Sequence, residues 1–210
     1  MPDSFEQLLA DALATRSPAR ARVKGARDAA VLVPIVLSPD PSLIFTARTE
    51  HLPSHKGQIS FPGGSLGPDE SVVAGALREA EEEIGLDPDV VRVIGELDAT
   101  PTFVSGFVVT PVVGVMDRLP ELRPNPAEVA EVLVVPISEL NEGIRSEPGF
   151  SHLDRTYPTE AWIWQDKVIW GLTARLLRTF LTILADLGLA VMPGDTTSWT
   201  AWPLEATGRQ

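Results

Sequence analysis

Apolar positions recur along this chain with two periods. Over residues 3–15, Phe5, Leu8, Leu9, Ala12 and Leu13 fall on one side of a helix. Residues 29–37 and 43–47 are apolar runs separated by Ser38-Pro39-Asp40-Pro41, which predicts two strands joined by a turn. Pro34 predicts an edge position or a bulge in the first strand, because it has no N–H to give to a ladder. Residues 50–67 read as a long loop. Asp69 is the expected N-cap of a helix over about 70–84, with Gly85 as its stop. Val73, Ala76, Leu77, Ala80 and Ile84 form the stripe that helix should bury. Residues 90–97, 107–116 and 130–135 predict further strands, and 137–144 a short helix capped by Ser138. Residues 161–164 and 167–170 predict a hairpin around Gln165-Asp166, followed by a leucine-rich helix over 172–187. Strands alternating with well-separated helices predict an α/β domain. The expected division is a helix and basic linker at 1–28, one domain at 29–187 and an extension at 188–210.

The side of the 70–84 helix away from that stripe carries Glu79, Glu82 and Glu83, at i, i+3 and i+4. Carboxylates whose Cβ atoms are ~5–6 Å apart repel by about 3 kcal/mol per pair at an effective dielectric near 20. A divalent cation would reverse the sign, so this face predicts a hard-metal site. Gly75 lies on the same side and weakens the helix, which predicts a close approach there.

Charge and composition narrow the partners. The net charge of −12 argues against duplex nucleic acid or an anionic membrane, both of which reward basic surfaces. An anionic small substrate stays compatible, since a metal can carry positive charge to the site. The absence of cysteine removes disulfides, zinc–thiolate sites and a cysteine nucleophile. The first residues show no basic and apolar signal pattern, and the apolar run at 107–116 is too short to span a bilayer. A soluble, cytoplasmic protein is expected.

Gly64, Glu70, Arg78, Glu79, Glu82, Glu83, Gly85 and Leu86 stand at the spacing G-x5-E-x7-R-E-U-x-E-E-x-G-U, with Ala80 at the first aliphatic position. This resembles the Nudix box. The resemblance implies an α/β/α sandwich with a mixed sheet and a loop–helix–loop motif, and hydrolysis of a nucleoside diphosphate linked to another moiety. It implies that Glu79, Glu82 and Glu83 bind Mg²⁺ or Mn²⁺, with the Gly64 carbonyl completing the shell. Oxygen-only ligation agrees with such hard ions. Arg78 would orient the acids, and Glu70 would be structural. The base varies within this fold. Glu128 and Glu131 are candidates outside the box, and Glu82 or Glu83 inside it.

A second pattern runs through Thr46, Arg48, Gly57, Phe61, Pro62, Gly63 and Gly64. It resembles the signature of the coenzyme A pyrophosphatase subfamily, with Pro53 where Arg or Ile is usual. Residues 105–114 and 169–174 also look like segments of that subfamily. The resemblance implies cleavage of coenzyme A or an acyl derivative to adenosine 3′,5′-bisphosphate and (acyl-)4′-phosphopantetheine. Arg48, His55, Lys56, Gly57, Phe61 and Gly63 would then contact substrate. The alternatives are ADP-ribose, a dinucleotide or a nucleoside triphosphate as substrate, or a nucleotide sensor without turnover. Trp162, Trp164 and Trp170 are expected in the core of the hairpin. Trp199 and Trp202 predict an extension that packs on the domain or on a second copy, as in a homodimer.

Overall fold

The computed structural model describes residues 4–37, 40–49, 58–102, 105–141, 144–152 and 155–190. His51, Pro53, His55, Lys56, Gly57, Trp199 and Trp202 lie outside the described residues. Helix α1 (Phe5–Ala14) begins where the Ser4 side chain accepts the Gln7 N–H. Strands β1 (Arg27–Val36), β2 (Ser42–Arg48), β3 (Ile59–Ser60) and β4 (Gly63–Ser65) lead into helix α2 (Val72–Ile84). Then come β5 (Arg92–Glu96), β6 (Thr100–Pro101), β7 (Phe107–Met116) and β8 (Val129–Pro136). A hairpin extension, β9 (Ile144–His152), β10 (Arg155–Trp164) and β11 (Lys167–Trp170), precedes helix α3 (Gly171–Asp186).

Among the described residues, β1–β8 form one mixed sheet in which β1 and β7 run parallel along their whole length. Pro34 is therefore in an interior strand, contrary to its expected edge position. The reason is a fork. β1 pairs with β2 only at Ile35↔Leu43 and Val36↔Ser42. Toward its start it pairs instead with β4, from Ala29↔Ser65 to Val31↔Gly63. The far end of β2 pairs with β3 at Thr46↔Ser60 and Ala47↔Ile59. The segment 59–65 thus fills the gap between diverging strands, and Pro34 lies at the crotch, outside both sets of pairings. A residue without an N–H loses nothing on that side.

Side chains alternate across the sheet. Val33, Ile35, Leu43, Phe45, Val113 and Val115 face a core shared with Leu9 and Leu13 of α1 and Leu177, Phe180 and Leu184 of α3. Ala30, Leu32, Val36, Ile44, Val112 and Met116 face Ala76, Ala80 and Ile84 of α2. Helices on both faces of one mixed sheet make the expected α/β/α sandwich. The hairpin forms as expected, and Trp162 is fully buried, its indole N–H on the Ala174 carbonyl. Trp170 departs from expectation: it is 40% exposed on the outer side of β11. The short helix expected at 137–144 is a 3-10 turn (Ile137–Asn141), and the chain then enters β9.

Candidate active site

The fork and α2 build the site together. Ser71, not Asp69, caps α2: its hydroxyl accepts the Ala74 N–H. Asp69 instead takes a left-handed turn with φ 58°, a conformation Asp tolerates. Glu70 is thereby free to accept the Gly67 N–H and the Nε/Nη2 edge of the Arg78 guanidinium, at 2.8 Å from Nε and 3.0 Å from Nη2. Arg78 also donates to Glu79 (2.9 Å), Glu82 (3.2 Å) and the Ser65 carbonyl (3.1 Å). Its five N–H groups are all used, and the fork geometry of arginine suits this. These bonds hold the Glu70 carboxyl down at about pKa 2, first through Arg78 and then through Gly67.

The three acids do not share one exposed face, as the helical spacing alone predicts. Glu82 is open, its side chain 60% exposed. Glu83 is 4% exposed, as buried as the core stripe. α2 packs one stripe on β1 and the next on β4, and Glu83 belongs to the second. Its Oε2 accepts the Gly63 N–H at 3.2 Å, and its Oε1 is 3.8 Å from Arg48 Nη1. Burial pushes its pKa up to about 7, against the pull of Gly63 and Arg48, and Glu79 and Glu128 push it further in the same direction.

The glycines are fixed by contact. A Cβ on Gly64 would stand 2.4 Å from Glu79 Oε2, so that carboxylate lies directly on the Gly64 backbone. A Cβ on Gly63 would meet the Ala30 carbonyl oxygen at 2.3 Å, where β4 joins β1. Gly75 does mark a close approach, but the visitor is Leu66 of the chain's own loop, 2.2 Å from where a Cβ would be. Phe61, expected to touch substrate, is 2% exposed and stacks on Phe45 with ring centres 4.6 Å apart. Its role is to anchor the loop in the core. Arg48 ends β2 at the mouth of the fork, and its Nε is buried with no hydrogen-bond partner among the described residues.

Glu128 reaches the site through the loop before β8. The carbonyls ending α2 accept from that loop: Ile84 from the Arg123 N–H (2.7 Å) and Glu83 from the Asn125 N–H (2.8 Å). Asn125 then turns the chain, its side chain accepting the Ala127 N–H and its carbonyl the N–H groups of Glu128 and Val129. Glu131 has the register of Ala47, on the α1/α3 side of the sheet, and pairs with Lys167 at 2.7 Å. It faces away from Glu83. Asn125 and Thr49 join these segments through hydrogen bonds. The Asn-Pro turn signal marks the first in the sequence, and the second directly follows Arg48 in the signature.

Among the described residues, no three His, Asp or Glu side chains are arranged as a closed metal cluster. The donor set nonetheless fits a hard cation in kind: it is all oxygen, and Arg78 engages only one oxygen each of Glu79 and Glu82.

The NUDIX domain family matches residues 26–156. The chain belongs to the Nudix hydrolase family. Among its relatives is an uncharacterized Nudix hydrolase, NudL, of Photorhabdus laumondii, 41% identical over 157 residues, covering 72% of this chain and 81% of that protein. NudL of Pectobacterium atrosepticum is 38% identical and covers 76% and 84%. A solved Nudix hydrolase of Mycobacterium smegmatis, RenU, shares 24% identity, with a TM-score of 0.48 over 56% of this chain and 74% of that one. This Nudix hydrolase is thus an enzyme acting on a small nucleotide-like substrate. None of its described helices is long and apolar enough to cross a membrane.

Proposed function

We propose that this Nudix hydrolase cleaves the diphosphate of coenzyme A or an acyl-coenzyme A, with Mg²⁺ or Mn²⁺, in the cytoplasm. The products are adenosine 3′,5′-bisphosphate and 4′-phosphopantetheine or its acylated form. The observation that carries the reading is Arg48. It stands at the signature position beside Glu83, with a buried Nε that lacks a partner among the described residues. Its side chain as a whole is 30% exposed, so its terminal N–H groups can meet a substrate phosphate through a charge-assisted bond. Glu79, Glu82, Glu83 and the Gly64 carbonyl would hold the metal, and Arg78 keeps the first two in place. When bound, that ion lowers the pKa of water and neutralises phosphate charge. Glu128 takes the proton from the attacking water. His55, Lys56 and Gly57 complete the phosphate contacts in this reading, and Gly63 holds Glu83 through its N–H.

A substrate panel tests this. Purified protein with Mg²⁺ or Mn²⁺ is expected to convert coenzyme A or acyl-coenzyme A into two phosphorylated products separable by chromatography. Turnover of ADP-ribose or nucleoside triphosphates with coenzyme A inert would sink the substrate assignment. Tight nucleotide binding without any turnover would favour a sensor.

A further inference from the structure

Just before β8 the chain makes a short turn, and four of its hydrogen bonds are made by Asn125. The Asn125 N–H bonds the Glu83 carbonyl at 2.8 Å. The Asn125 carbonyl accepts the N–H groups of Glu128 (3.0 Å) and Val129 (2.8 Å). The Asn125 Oδ1 accepts the Ala127 N–H at 3.1 Å. On the other side, the Thr49 N–H bonds the Glu128 carbonyl at 3.0 Å, and the Thr49 hydroxyl bonds the Ala127 carbonyl at 3.4 Å. Thr49 directly follows Arg48, and its side chain is buried. One five-residue turn is therefore clamped to the end of α2, which carries Glu83, and to the end of β2, which carries Arg48. Glu128 is the residue the clamp holds.

We infer that Asn125 is a positioning residue: its side-chain-closed turn, tied to the Glu83 backbone, sets Glu128 beside Glu83 and Arg48. This rests on reading Glu128 as the base. The physical reason is stiffness. An Asx turn is closed by the residue's own carboxamide oxygen, so the loop does not depend on packing for its shape. Ala127, the middle of the turn, is exposed, and the bond from the Thr49 hydroxyl to its carbonyl is long, at 3.4 Å. Alanine at 125 keeps the backbone bonds but removes the oxygen that selects this conformation. A shift of about 1 Å at a reacting group costs on the order of 100-fold in rate.

The test is a double-mutant cycle on the full chain with Mg²⁺ and coenzyme A. Asn125→Ala is expected to lower kcat about tenfold or more while KM stays within about twofold, because the turn acts on proton transfer and not on phosphate binding. Asn125→Ser, which keeps a neutral side-chain acceptor, is expected to regain most of the loss. Combined with Glu128→Gln, Asn125→Ala is expected to add less than about twofold, since the group it positions is already gone. If Asn125→Ala does not fold, Asn125→Gly, which also lacks the side-chain oxygen and suits a turn, is read the same way. Losses that multiply in the double variant, or a fully active Asn125→Ala, would overturn the inference alone. A wild-type chain inert toward every nucleotide diphosphate would overturn the parent reading and this inference with it.

Discussion

Glu83 shows how one carboxylate can be placed at a cost to the fold. Two attractions act on it, the Gly63 N–H and Arg48, yet burial outweighs them and its pKa rises to about 7. A group whose folded pKa lies above its unfolded value of 4.5 binds a proton more tightly in the folded state. Without metal, folding is therefore weakened as pH rises from about 4.5 to 7, and the penalty is complete above that window. A shift of this size corresponds to about 3 kcal/mol. Glutamine keeps an acceptor for Gly63 and carries no charge. With chelator present, Glu83→Gln is expected to melt several degrees higher than wild type at pH 8 and to lose that advantage at pH 4. Turnover in Mg²⁺ should be abolished. Equal melting points at pH 8, or an active variant, would refute the burial argument or the metal role respectively. Glu70 is the opposite case: its pKa, held near 2, makes it stabilising at neutral pH, and that contribution fades as pH falls from 4.5 toward 2.

At the scale of elements, α2 shows what sequence pattern carries and what it omits. The buried stripe of Ala76, Ala80 and Ile84 and the stop at Gly85 were legible, because 3.6-residue periodicity and left-handed glycine are local properties. The burial of Glu83 was not, because it depends on β4 arriving from the fork between β1 and β2. Pro34 was misplaced for the same reason: a proline's tolerance in a strand depends on which neighbour pairs there. Gly85 links the legible half to the hidden half. Its φ of 65° ends the helix, and its N–H returns to the Glu81 carbonyl. A Cβ added there would stand 3.0 Å from Arg123 Cβ, at the start of the strap that leads to Asn125 and Glu128. Gly85→Ala is expected to cost about 1–2 kcal/mol for the left-handed backbone in urea titrations. It should also reduce kcat by displacing that strap. A stable variant with wild-type kcat would show that the strap does not transmit the change.

For the whole molecule, the core takes in residues from before position 28. The family match begins only at residue 26. Yet Leu9 and Leu13 are in the same core as Phe180 of α3, and Leu9 is fully buried. Leu13 packs on Gly95 of β5, where a Cβ would come within 2.8 Å of the Leu13 Cβ. Arg92 ties the helix down by donating to both oxygens of Glu6 and to Asp117. The linker that follows α1 is bound to the sheet as well, the Ala19 N–H on Asp98 and the Ala99 N–H on the Ala19 carbonyl. These contacts join residues far apart in sequence, which no local pattern reveals. They also lie on the face of the sheet opposite α2. Leu9→Ala should therefore act on stability without reshaping the site. Removing a fully buried leucine costs about 2–5 kcal/mol, and a cavity under a helix held at both ends cannot collapse completely. Chemical denaturation should show a loss in that range with an unchanged m-value. kcat and KM, measured well below the melting transition, should stay at wild-type levels. A loss below about 1 kcal/mol would make α1 a loosely attached segment. A fall in kcat at unchanged fraction folded would mean that the two faces of the sheet are coupled through β1 and β7.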